Sequence, residues 1–153
     1  MPDLSFRDFV NQLISVAQAS PVERLIFDVR NNTGGDNSVI QPLLDGIRAF
    51  DGAGGGRIVV IIGRQTASSG MSNAITLTDD YGATLVGEAT GGKPNAYGNI
   101  LTVNLPNSHL TIQYSTRFFQ FRSKVDTPSL LPEIAVESSS TDYFARLDPR
   151  CQT

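Results

Sequence analysis

Ser68, Lys93 and the glycine pair Gly34-Gly35 are the residues whose types and spacing suit chemistry in this chain. Ser68 lies in the small-residue stretch Thr66-Ala67-Ser68-Ser69-Gly70, just after the aliphatic run Ile58 to Ile62. A serine hydroxyl is a poor nucleophile without a base to take its proton. Lys93, in Gly91-Gly92-Lys93-Pro94, can be that base only where desolvation keeps it neutral. Glycines let the backbone turn sharply, and N–H groups at a helix start can face a developing negative charge. Gly34 or Gly35, together with the Ser69 amide, would form such an oxyanion hole. Each feature has a plainer explanation when taken alone. Serine often just caps a helix, glycine pairs mark turns, and loop lysines are mostly solvated. The single histidine, His109, falls in a turn after Pro106 and is a poor candidate base.

The elements that must position these residues follow from hydrophobic periodicity. Phe6, Phe9, Val10, Leu13, Ile14 and Ala17 recur at helical spacing behind Ser5, a capping residue. Arg24 to Val29 reads as a short buried strand, and Arg30 to Ser38 as a polar loop carrying Gly34-Gly35. Ile40, Leu43, Leu44 and Ile47 mark a second helix, with Pro42 tolerable in its first turn. Asp51 to Gly56 connects to a second strand, Arg57 to Ile62. A third helix is expected from about Ser69 to Asp80, then a strand from Ala83 to Val86, and a loop from Glu88 to Gly98. Ile100 to Leu105 and Leu110 to Ser115 alternate as a hairpin, and a short helix is expected near Tyr143 to Leu147. Strand-helix alternation with continuous aliphatic strands implies an α/β fold with a mostly parallel sheet. All three loops then leave the carboxyl ends of strands, where such sheets bind ligands.

Taken together, the three segments resemble the C-terminal processing (tail-specific) serine peptidases. RLIFDVRNNTGGD is similar to their "dLRxNxGG" segment, GRQTASSGMSNA to their "xxTASASE" nucleophile segment, and TLVGEATGGKPN to their "lVGexTfGKg" lysine segment. Lys93 lies 25 positions after Ser68, the family's spacing. The resemblance covers about Leu25 to Lys93 and implies a crotonase/ClpP-like fold of β-β-α units, here with a C-terminal antiparallel hairpin. It implies Ser68 as nucleophile, Lys93 as general base, an oxyanion hole from Gly34 or Gly35 with Ser69, and a polar helper near Asp79 or Asp80. Two departures stand out. Ser69-Gly70-Met71 replaces the family's Ala-Ser-Glu, and the lysine loop reads GGKPNAYG. That loop, with NLPNSHLTIQYSTRFF and the closing DYFARLDP, resembles a divergent branch related to the tricorn core and the interphotoreceptor retinoid-binding repeats. The resemblance also implies a bacterial periplasmic or secreted setting.

Composition bounds the alternatives. The 153 residues suit one domain, read here as a peptidase core whose N-terminal partner region and any PDZ segment lie elsewhere. A net charge of −3 without a basic stripe argues against nucleic acid, and no apolar run is long enough for a membrane span. One cysteine, Cys151, excludes an internal disulfide, and neither a metal nor another cofactor is expected. The expected partner is a polypeptide substrate, with homo-oligomerisation left open. Two other readings use the same fold. One is a non-catalytic module binding apolar ligands or protein, with Tyr114, Phe118, Phe119 and Phe121 lining a pocket. The other is a crotonase-type acyl-CoA enzyme, which would need an acidic residue beside the two amides.

Overall fold

A computed structural model describes residues 4–20, 22–51, 57–122 and 126–148. The chain begins with α1 (Phe6–Ala19), whose Ser5 cap accepts the Asp8 N–H at 3.2 Å. Its buried stripe is Val10, Ile14 and Ala17, whereas Phe6 and Phe9 stack on each other in solvent. Next come β1 (Arg24–Asp28), a 3-10 turn (Asn37–Ile40) and α2 (Gln41–Asp51), with Pro42 in the first turn as expected. Gly46 lets α2 lie against α1, because a Cβ there would meet Ile14 at 2.8 Å.

The parallel sheet is built from β1, β2 (Arg57–Ile62), β3 (Thr84–Gly87) and β6 (Ile134–Ala135), in the order β1-β2-β3-β6. The helix α3 (Ser68–Tyr81) links β2 to β3. Central β2 buries Ile58, Val60, Ile61 and Ile62, so apolar side chains are needed on both its faces. Edge strand β1 buries Leu25 but leaves Ile26 60 % exposed, so one face there is open. Val10, Ile47, Val60, Ile62, Leu77 and Leu85 form the centre of the core.

A second sheet consists only of β4 (Asn95–Asn104) and β5 (Thr111–Gln120), paired antiparallel from Asn95–Gln120 to Asn104–Thr111. The hairpin is longer than its alternation predicts. Its first strand starts inside the expected Glu88–Gly98 loop, and its second runs on through Thr116 to Gln120. The added residues form the hairpin base, where Asn95, Gly98 and Asn99 interrupt the apolar alternation. A side-chain bridge closes its base: Asn95 Nδ2 donates to Arg122 O at 2.7 Å, and the Arg122 N–H donates to Asn95 Oδ1 at 3.0 Å. The last described element, α4 (Ser140–Ala145), starts slightly before the expected stretch. Cys151 and the connector residues 52–56 lie outside the described residues.

Candidate active site

The loop after β1 and the turn after β2 are locked together, and the lock sets the conformation of Ser68. Thr66, fully buried, donates its hydroxyl to Val29 O at 2.8 Å and accepts the Gly63 N–H at 3.0 Å. The Ala67 N–H donates to Asn32 O at 3.0 Å, and the Gly34 N–H donates to Asn32 Oδ1 at 3.0 Å. Gly70 lies flat on the same asparagine, since a Cβ there would come within 2.5 Å of Asn32 O. So Asn32, Thr66 and Gly70 build the site, although only their neighbours carry chemistry. A larger residue at Gly70, as in the resembling segment, would have to displace Asn32.

Held this way, Ser68 adopts φ +48, a left-handed conformation uncommon for a residue with a Cβ. Strained residues of this kind cluster where a side chain must be aimed. Ser68 is exposed at the first position of α3, and the cap position falls to Ala67, which has no side-chain cap bond. Neither Ser68 nor Ser69 therefore spends its hydroxyl on capping. Ala67 O accepts the Gly70 and Met71 N–H groups at 2.9 and 3.4 Å. The first amides of a helix have no intrahelical acceptor. Among the described residues the Ser69 N–H has no backbone acceptor.

The glycine pair divides in two. Gly34, at φ +126, packs against the nucleophile candidate: a Cβ there would sit 2.5 Å from Ser68 Cβ and 3.0 Å from its Oγ. Its amide is already engaged by Asn32. Gly35, at φ +140, has open space around its Cα, and among the described residues its N–H has no acceptor. The following Asp36 accepts from the Ser38 hydroxyl and N–H, which hold its carboxyl below the ordinary value and start the 3-10 turn. That carboxylate is a cap kept ionised, the opposite of what an acid/base residue needs.

Gly35, Ser68, Ser69 and Lys93 line one cavity of about 570 Å³, walled on its other side by the hairpin base. Glycines place the lysine loop there. Gly87 passes so close to β2 that a Cβ would meet Ile62 O at 2.2 Å, and one on Gly91 would meet Arg64 O at 2.5 Å. Buried Thr90 then fixes the loop, with its hydroxyl donating to Gly92 O and accepting the Leu130 N–H. Lys93 itself is more than half exposed, and its Nζ lies 3.7 Å from Asp126 Oδ2. It also lines an adjoining cavity of about 550 Å³ with Asp126, Tyr97 and Phe118. The lysine therefore lines both cavities and pairs with Asp126.

Asp79 is not brought to this site. Eleven residues along α3 carry it about 16 Å from Ser68, and its carboxylate pairs with Arg122 at 3.0 Å. It ties the hairpin base to α3 instead. Exposed Asp80, its neighbour, is equally remote. His109 is exposed in the hairpin turn at φ +55, as expected. Phe119 and Phe121 line the Ser68 cavity, Phe118 lines only the adjoining one, and Tyr114 lines neither. Among the described residues no cluster of His, Cys, Asp and Glu side chains could hold a metal ion, and no helix is long and apolar enough to cross a membrane.

No protein family and no curated protein matches this sequence. Solved structures do. A candidate peptidase from Parabacteroides merdae superposes with a TM-score of 0.65 at 20 % identity, over 94 % of this chain and 54 % of its own. The photosystem II D1 C-terminal processing protease gives 0.61 at 18 % identity, over 89 % of this chain and 40 % of its own. A lipoprotein from Streptococcus agalactiae gives 0.52 at 15 % identity, over 95 % and 61 %. The chain thus spans about half the length of these neighbours. Its four-stranded parallel sheet with a separate antiparallel pair has the fold of the C-terminal processing peptidases.

Proposed function

We propose that the chain is the core of a serine peptidase that hydrolyses polypeptides through an acyl-enzyme on Ser68, completed in the natural protein by further chain. The observation that carries this reading is the left-handed Ser68 at the start of α3, exposed into a cavity that Lys93 also lines. In the first step Ser68 Oγ attacks the carbonyl carbon and its proton passes to a neutral Lys93 Nζ. The Ser69 and Gly35 amides receive the oxyanion. The C–N bond then breaks, and Lys93 returns the proton to the leaving amine. Water, deprotonated by Lys93, attacks the ester, releasing the acid and restoring the Ser68 hydroxyl. For this Lys93 must leave Asp126 and lose its water, and a substrate filling the cavity would promote both.

Fluorophosphonate labelling of the full-length protein tests the nucleophile: wild type should label, and Ser68→Ala should neither label nor cleave an unstructured polypeptide. Loss of a nucleophile of this kind costs up to about 10⁶ in kcat. Failure of wild type to label and to cleave would end the proposal. Lys93→Arg should abolish activity, because arginine stays protonated and cannot take the serine proton. A carrier of apolar ligands would need a cavity apolar throughout. Asp36, Asn37, Ser69 and Ser72 line this one, which favours the peptidase.

A further inference from the structure

Opposite the glycine loop, the Ser68 cavity has a wall of different chemistry. Met71 is 4 % exposed and lies three residues beyond Ser68, hence on the same face of α3. Its Cε reaches the bare backbone of the lysine loop, where a Cβ on Gly92 would stand only 3.7 Å away. Phe119, in β5, and Phe121, just past its end, line the same cavity. Their rings stack with centroids 5.8 Å apart and planes 13° from parallel.

The aromatic pair is held in place. A Cβ on Gly98 would come within 3.2 Å of the Phe119 ring, so glycine across the hairpin leaves the ring its room. The Arg117 guanidinium covers that ring at 4.9 Å. A fixed aromatic surface opposite an adaptable thioether suits a large apolar side chain. The segment that TASSGM resembles carries glutamate where Met71 stands, and that charge would spoil such a wall.

We propose that this wall is a specificity subsite. It seats a bulky apolar side chain, aromatic or branched aliphatic, on the residue whose carbonyl Ser68 attacks. Met71, Phe119 and Phe121 are the specificity-determining residues. The inference rests on the peptidase reading and narrows its substrates to chains with such a residue at the cleavage point.

The test digests an unstructured polypeptide and matched peptides that vary only the acyl-side residue, using the full-length protein. Rates are referred to the amount of Ser68 titrated by a fluorophosphonate. Wild type should prefer phenylalanine or leucine to alanine and aspartate by about tenfold or more in kcat/KM. Phe119→Ala and Phe121→Ala should shrink that ratio, and Met71→Glu should shift preference towards lysine and arginine. Should Met71→Glu not fold, the two phenylalanine variants, at half-buried positions, carry the comparison alone. Labelled wild type without this preference, or with a preference the variants leave unmoved or one for the amine side, overturns the subsite alone. If wild type neither labels nor cleaves, the peptidase reading falls and the subsite with it.

Discussion

Gly34 and Gly35 both take left-handed φ values, yet they are under different constraints, and substitution separates them. Alanine at either position meets backbone strain on the order of 1–3 kcal/mol. At Gly34 the new methyl would also overlap Ser68 Cβ at 2.5 Å, whereas at Gly35 nothing lies within 4 Å. Gly34→Ala should therefore cost more stability in thermal melts and also displace Ser68, slowing fluorophosphonate labelling well beyond the effect of Gly35→Ala on folding. Equal labelling by Gly34→Ala and wild type would show that Ser68 is not held by this loop. At this scale the sequence was legible where a residue's type is itself the signal. The serine turn, glycine pair and lysine loop stand out by composition, and the structure brings Ser68, Ser69, Gly35 and Lys93 to one cavity. Asn32 and Thr66 carry no such signal, because what they supply is hydrogen bonds to backbone that only the folded loops bring near. Asp126 was invisible for a similar reason: it follows Lys93 by 33 positions and meets it only through the tail's return. Asp79 falls near the family's helper position in sequence, while helix rise alone sets it three turns away.

Between the elements, the hairpin decides the shape of the cavity although it packs on the core only at its root. Polar contacts at that root include the Asn95–Arg122 bridge across the hairpin and the Arg122–Asp79 ion pair to α3, beside the packing of Phe121 on the core. They differ in burial, so they should differ in worth. Asn95 is 9 % exposed, and Asn95→Ala leaves the Arg122 backbone groups without partners, a loss of roughly 1–3 kcal/mol. Asp79→Asn breaks an exposed pair worth about 1 kcal/mol at most. Hydrogen exchange across Tyr97 to Gln120 should accelerate strongly in the first variant and little in the second. The opposite ranking would place the anchor on α3. Were Asp79 instead a catalytic helper, its loss would depress kcat by far more than its small effect on folding. Helices α1, α2 and α3 and strands β1 to β3 were readable because each buries a face, and burial writes a period into sequence. The outer hairpin was legible too, from the alternation of Ile100 to Leu105 and Leu110 to Ser115, but two-residue β6 is fixed by pairing with β3, through Val136 N–H to Gly87 O among others, and is too short for a period to record it.

Over the whole chain, one arginine joins the start of the fold to its end. Arg30 leaves β1 just ahead of the Gly34-Gly35 loop, and its side chain is only 19 % exposed. Its Nε donates to Asp28 Oδ1 at 2.9 Å, and its Nη1 contacts the Asp148 carboxylate, 118 positions away. Gly63, leading into the Ser68 turn, packs on the same side chain. The Arg30 side chain, then its N–H, holds the Asp28 carboxyl below its ordinary value of 3.8, against the opposing effect of burial. A carboxyl depressed in the folded state stabilises the fold above the unfolded value, and that contribution disappears as pH falls through the folded one. Melting temperature should therefore decline as pH drops from about 5 to about 3. Arg30→Gln should lower stability near neutral pH but flatten the decline, since Asp28 then titrates alike in both states. The measurement is a series of melts for wild type, Arg30→Gln and Asp28→Asn. Parallel declines in all three would assign the acid sensitivity to other carboxylates. A flattened curve in both variants, with slower Ser68 labelling in Arg30→Gln, would show that this cluster ties the chain's far end to the geometry of the site.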